Sequence, residues 1–468
     1  MTRIVPGVLV AALALPGCYL AHERDPDASV PLPRRDAEAP DAPPRLDAGP
    51  PPPCTLAPEA RRFVTSTRFA AHAPELGWDG ERIGLVVFES DGEIPHPVVS
   101  WTRVSTALEA PALTVVGEES HSWGEAAWDP AVGFAVCWNG DPGGRSATRL
   151  RLRSRDGREL TPRLDLDPDG GACEGLARAG DRWGITWRHG RETQMRVGVV
   201  DDRGALVAPA LDVGAPDPGG ALITAYGDGF LVMTPHPEGV LLERIGRDGD
   251  SRGIHIVPIA GARYGALAAH DDGTLGIAAR IGARDVGGLR FVLLAADLRT
   301  VLADTLLVVE GRGVRHPRLV PVPDGWAVLW VEQGDSSRPA TAAVLAHLGR
   351  DGAPLEPRRA LVDGENSDYG GPSLLWHERA LYAAIASSPT RPGAGEQVEL
   401  IRMTCEPTPR DRCAALDAAS SGDDCTELTG FTWDGRACRP VVCGCAGEDC
   451  DRIAALEAEC QADHAACD

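Results

Sequence analysis

Between Phe63 and Cys405 the chain repeats itself seven times, at intervals of 45 to 54 residues. Each copy opens with a short apolar strand, turns at Asp or Gly, and returns as an alternating strand that often carries Gly and Trp. Clear examples are Leu76-Gly77-Trp78-Asp79-Gly80 before Ile83 to Phe88, Ala127-Trp128-Asp129 before Val132 to Trp138, and Leu319 to Gly325 before Trp326 to Val331. The second strands align on Gly84, Gly133, Gly184, Leu231, Gly276, Ala327 and Leu381. In most copies a third strand runs into an Asp/Gly turn, such as Asp156-Gly157, Asp248-Gly249 or Asp351-Gly352, and one more short strand follows. Gly and Pro, 54 and 39 of the 468 residues, suit so many turns. Four hairpin-linked strands cannot bury both faces alone, and a ring of such units can. The expected fold is therefore all-β, a seven-bladed β-propeller of four-stranded antiparallel blades, with a small disulfide-rich domain after it.

The ends of the repeat region bear on how the ring closes. The last copy has only three strands, Ser373 to Trp376, Leu381 to Ser387 and Val398 to Thr404, while Arg62 to Phe69 is an extra strand before the first copy. Pairing the extra strand with the last copy would complete the seventh blade and leave no open sheet edge.

Before the repeats, Arg3 precedes the apolar run Ile4 to Leu15, too short to span a bilayer as a mature helix and suited to a signal-peptide core. It ends in Leu15-Pro16-Gly17-Cys18, which resembles the lipobox of bacterial lipoproteins, with Pro16 in place of the usual small residue. That resemblance implies residues 1–17 as signal peptide and a lipidated Cys18. It also implies a cell-envelope protein attached to a bacterial membrane through lipid alone, the outer membrane being favoured, or a secreted one if the lipobox is unused. Residues 18–53, almost wholly Asp, Ala, Pro and Arg, read as a disordered tether. Residues 54–405 are the propeller, which resembles the propellers of bacterial secreted proteins, and residues 406–468 a cysteine-rich module. The run Gly430 to Cys438 with Cys443-Gly444-Cys445 resembles a module of secreted proteins from large-genome bacteria, and it implies a compartment rather than a chemistry.

Setting Cys18 aside leaves twelve cysteines, an even number. Cys413, Cys425, Cys438, Cys443, Cys445, Cys450, Cys460 and Cys467 crowd the tail, as in a disulfide scaffold. Cys54 and Cys405 fall on one edge of blade seven, and Cys137 and Cys173 on one face of blades two and three, so both pairs are expected to be bridged. Zinc is the competing reading, chiefly at Cys443-Gly444-Cys445, but paired CxxC knuckles are absent.

Composition removes several function classes. With no lysine there is no P-loop lysine and no Schiff base, and a net charge of -22 argues against a nucleic-acid surface. No HExxH occurs. Asp165, Asp167 and Asp169 match the first half of a DxDxDG calcium loop, whose second half is missing, so calcium is the one cofactor the sequence suggests. Tryptophans such as Trp138, Trp187, Trp326 and Trp330 fall at strand positions and read as core. The connections entering the innermost strands carry the densest polar and aromatic residues: Glu118, Glu119, His121, Trp123, Tyr264, His316, Asp368 and Tyr369. They mark the expected ligand face, opposite the short Asp/Gly hairpins. No catalytic set is assembled in sequence, which implies a non-catalytic protein that binds an extracellular protein or glycan. A glycan-acting hydrolase or lyase with carboxylates at the propeller mouth, and a structural envelope component, are the alternatives.

Overall fold

The computed structural model describes residues 54–64, 70–90, 98–110, 113–119, 124–140, 147–190, 194–214, 220–282, 287–308, 313–333, 340–365, 371–387 and 397–407. It also describes parts of 416–461, among them Leu428–Trp433 and Cys438–Val442. Cys18, the tether, His121, Trp123, Asp368, Tyr369, Cys413, Cys425, Cys443 and Cys467 lie outside the described residues.

Seven four-stranded antiparallel sheets form the blades. Their innermost strands are Ala70–Trp78, Gly124–Asp129, Gly170–Ala179, Leu222–Tyr226, Ala262–Ala269, Gly313–Val322 and Ser373–His377, in blades one to seven. Each innermost strand touches the next, and the seventh touches the first, so the ring is complete. Second strands such as Gly133–Gly140 and Leu275–Ile281 are buried along their whole length because a neighbouring blade covers each face. The outer strand Val301–Val308 alternates between exposed and partly buried, as an edge strand must. Seven apolar clusters of buried residues lie between adjacent blades and none within a single blade, which is why one repeat could not fold alone.

Two local rules shape the repeat. At the first hairpin the Asp side chain closes the turn: Asp129 Oδ1 accepts the backbone N–H groups of Ala131 (2.7 Å) and Val132 (2.9 Å), and Asp79 does the same for Glu81 and Arg82. On the second strand, glycine makes room for an aromatic ring of the next blade. A Cβ on Gly84 would come within 2.1 Å of Trp128 Nε1, on Gly184 within 2.6 Å of Phe230, and on Gly276 within 2.9 Å of Trp326. Gly84→Ala should therefore cost about 1 to 3 kcal/mol by overpacking. Urea unfolding followed by near-ultraviolet dichroism of the tryptophans checks it, and a wild-type midpoint would contradict the packing.

The ring closes as expected in principle but with a different strand. Cys54–Phe63, rather than Arg62 to Phe69, pairs antiparallel with Gln397–Pro407 and is the outermost strand of blade seven. Leu56 enters the apolar cluster between blades six and seven, and that buried anchor selects the earlier segment. Cys54 is disulfide-bonded, and Leu56 stands opposite Cys405 in the register. Cys137 is joined to Cys173, linking blade two to blade three, with Cα atoms 6.0 Å apart. In the tail the hairpin of Leu428–Trp433 and Cys438–Val442 is tied to Cys460 through Cys438, and a second bridge joins Cys445 to Cys450. Trp138, Trp187, Trp326 and Trp330 are all buried core residues.

Candidate functional site

The connections between blades are shorter than the sequence suggests, because strand pairing continues into them. Glu118 and Glu119 end the outer strand Thr114–Glu119 of blade one instead of lying in a loop. Tyr264 and His316 belong to innermost strands, and Asp167 to the outer strand Leu164–Asp167. The surplus residues are absorbed by β-bulges near the mouth of the ring, between His72 and Glu75, Cys173 and Gly175, Ala262 and Gly265, and Arg315 and Arg318. A bulge re-aims the side chains beside it.

The bulges of blades one, three and six, with Glu125 and Ser373, build a polar collar from the innermost strands of five blades. Arg318 of blade six reaches past blade seven, where its Nε donates to Pro372 O (2.8 Å), and bonds Glu75 Oε1 of blade one at 2.5 Å. The same guanidinium nitrogen stands 3.6 Å from Glu125 Oε1 of blade two. Ser373 Oγ donates to Glu75 Oε2 (3.4 Å) while accepting the N–H of Leu76 (3.0 Å). On blade three Glu174 pairs with Arg188 at 2.7 Å. Side-chain exposure is 9% for Glu75 but 20% for Glu125, 21% for Glu174 and 25% for Arg318, so three of the four face the opening.

One guanidinium thus serves two carboxyl groups. Burial pushes Glu75 well above the usual carboxylate range, and the neighbouring Glu125 adds to the rise against the pull of Arg318. Burial would push the Arg318 guanidinium down, but Glu75 and Glu125 more than reverse it. Glu174 is also raised, by burial first, with Arg188 opposing and Glu125 contributing. His316 sits in the left-handed region at φ 48°, and burial together with the charges of Arg318, Arg315 and Arg280 lowers its imidazole to about 4. It is neutral at pH 7.

Glu75 sets a pH dependence whose sign is opposite to that of an ordinary salt-bridged carboxylate. The native state keeps a proton that the unfolded chain releases near 4.5, so this contribution is complete below that pH and is lost as pH rises through the native value. Glu75→Gln imitates the protonated acid and should flatten the decline while leaving the acid-side stability near wild type. Urea midpoints at a series of pH values above 4.5 measure this, and an unchanged slope would assign the decline to other groups.

Two of the three aspartates of the DxDxDG-like segment have protein partners. Asp165 pairs with Arg163 (3.1 Å) and Arg149 (3.4 Å). Buried Asp167 accepts Trp187 Nε1–H (3.1 Å), binds His189 Nδ1 at 2.5 Å, faces Arg196, and caps the turn by accepting the N–H of Asp169 (3.1 Å). On the opposite, hairpin face, a pocket of about 210 Å³ is lined by Tyr226, Asp228, Phe230, Arg244 and Arg252. Ile254, Val301, Leu302 and Leu306 stand exposed on the outer strands of blades four and five. The collar residues Glu75, Glu125, Arg318 and Ser373 were not foreseen from the sequence. Their one signal is a polar residue in an otherwise apolar innermost strand, eight or nine positions before the aligned residue of the second strand.

No family model matches the chain, and no curated protein matches it. Solved structures that it resembles include the polysaccharide lyase Uly1, at 8% identity and a TM-score of 0.47, over 75% of this chain and 99% of that one. An α-L-arabinanase of Penicillium chrysogenum, solved with arabinobiose, is 11% identical with a TM-score of 0.43, over 75% of this chain and 98% of that one. The β-propeller domain of the trilobed protease from Pyrococcus furiosus is 9% identical with a TM-score of 0.43, over 71% and 93%. At such values the likenesses say nothing about what this chain binds or does.

Proposed function

We propose that this protein is a non-catalytic binding propeller whose collar receives an uncharged stretch of glycan. The observation that supports this reading is the internal charge balance of the collar. Glu75 and Glu125 share Arg318, and Glu174 has Arg188, so an ionic ligand would have to break pairs already made. A polyhydroxylated ligand can instead donate to the outward lone pairs of Glu125 and Glu174 and accept from Arg318 without disturbing them. On the lipobox reading, Cys18 would hold the protein at a membrane, and Cys18→Ser would release it from the membrane fraction.

Calorimetric titration of the purified chain with a panel of neutral and uronate-containing oligosaccharides tests the proposal. A neutral glycan should bind, and Glu125→Gln and Glu174→Gln should each weaken it about tenfold, the loss of about 1.4 kcal/mol, with little change in melting temperature. Alanine at Asp156, Asp248 or Asp351 on the hairpin face should have no effect. Failure of every neutral glycan to bind, or unaltered affinity in both glutamine variants, would remove this reading.

One observation favours glycan cleavage as the second reading. Glu75 is raised beside Glu125, and carboxyl pairs of unequal acidity can divide acid and base roles. New reducing or unsaturated ends in the same titrations, absent with Glu75→Gln, would decide for it.

A further inference from the structure

The closing strand begins at a buried polar cluster that the collar does not use. The N–H of Cys54 donates to Asp324 Oδ2 (2.9 Å), in the turn between the first two strands of blade six. The N–H of Leu56 donates to Glu356 Oε1 (3.4 Å). Between the two carboxylates lies His347, with Nε2 3.0 Å from Asp324 Oδ1 and Nδ1 3.6 Å from Glu356 Oε1. Cys54 is 4% exposed, Asp324 7% and His347 0%. One ligand-type atom from each of Cys54, Asp324 and His347 lies within 4.8 Å of the others, the one such group among the described residues. Sulfur, imidazole nitrogen and carboxylate oxygen arranged this closely are a zinc donor set.

We propose that the chain, when the Cys54 disulfide is open, binds one zinc ion between the Cys54 thiolate, the His347 imidazole and the Asp324 carboxylate, and that this ion then pins the closing strand to blade six. Tetrahedral donors about 2.0 to 2.3 Å from zinc stand roughly 3.3 to 3.8 Å apart, so the present spacing needs a shift of only about 1 Å. Glu356 sits on the second imidazole nitrogen, the place where a carboxylate orients a metal-bound histidine. Burial would lower the imidazole, yet Asp324 and Glu356 outweigh it and raise it to about 9, so the cluster already stabilises one positive charge. While the disulfide is closed the sulfur carries no anionic lone pair for a metal, which makes the site redox-gated.

The chemistry balances with a small dithiol as reductant. Two thiolate-exchange steps turn the dithiol into a cyclic disulfide and the protein disulfide into two thiols, transferring two electrons and two protons. Zinc then displaces the proton of the Cys54 thiol and the proton held by His347, and both pass to solvent.

Cobalt serves as the spectroscopic probe. The full chain is reduced with dithiothreitol, desalted anaerobically and titrated with cobalt chloride, alongside Cys54→Ser and Asp324→Asn. Because the tail cysteines can also take metal once reduced, the reading is the difference between chains. Wild type should bind one equivalent more than Cys54→Ser, with additional sulfur-to-cobalt charge-transfer absorption, and zinc should raise the melting temperature of reduced wild type but not of reduced Cys54→Ser. Asp324→Asn should lose the same equivalent where it folds, and Cys54→Ser carries the test where it does not. Equal cobalt stoichiometry and equal absorption in wild type and Cys54→Ser would overturn the proposal.

Discussion

Arg318→Met is expected to lower the unfolding free energy by about 3 kcal/mol, the lower end of the cost of breaking a buried ion pair. The lower end applies because the Arg318 side chain keeps a quarter of its exposure, so the orphaned carboxyls can recruit some water. Among the described residues the guanidinium is the one cationic partner of Glu75, and it also ties the innermost strand of blade six to blade one across Pro372 of blade seven. Without it, Glu75 and Glu125 face one another uncompensated, and their mutual repulsion raises Glu75 further. The loss should accordingly be larger at pH 8 than at pH 5, because the raised Glu75 takes up its proton more readily as pH falls. Urea unfolding at the two pH values reads both quantities. A loss below about 1 kcal/mol at both would mean that the collar is solvated and holds nothing together.

Replacing Cys137 and Cys173 together by alanine should cost about 4 kcal/mol at most. The bridge spans 36 residues of sequence, and the chain-entropy relation for a loop of that length yields about this value. Both cysteines are buried against the apolar cluster between blades two and three, so the alanines add a small cavity term in the same direction. The effect should appear as a lowered melting temperature under oxidising conditions and shrink to the small cavity term when wild type and variant are compared after reduction. A difference that survives reduction undiminished would place the effect in packing instead of in the cross-link.

The two expectations differ in how far they could be anticipated. Cys137 lies on the second strand of blade two and Cys173 on the first strand of blade three, so once the repeat was aligned they fell on one face, and the structure joins them. The collar offers no such signal. Glu75, Glu125, Glu174, Arg318 and Ser373 come from five different strands, with Glu75 and Ser373 separated by 298 residues, and each looks like a stray polar residue in an apolar segment. The closing strand was misplaced for a related reason. Arg62 to Phe69 alternates as well as Cys54–Phe63 does, but Leu56 finds an apolar cluster to enter and its neighbours Cys54 and Asp324 find each other.

By itself the sequence determined the seven-fold repeat, the antiparallel hairpins and the need for a closed ring. Strand alternation, Asp/Gly turns and glycines beneath aromatic rings act over a few residues or between adjacent repeats, and the chain must satisfy them wherever the ring begins. Only the tertiary structure decided which residues meet across the central opening, which segment closes the circle, and which acids are raised above their ordinary range. Those outcomes depend on burial and on charges brought together by the ring, over distances at which neighbours in sequence carry no information about neighbours in space.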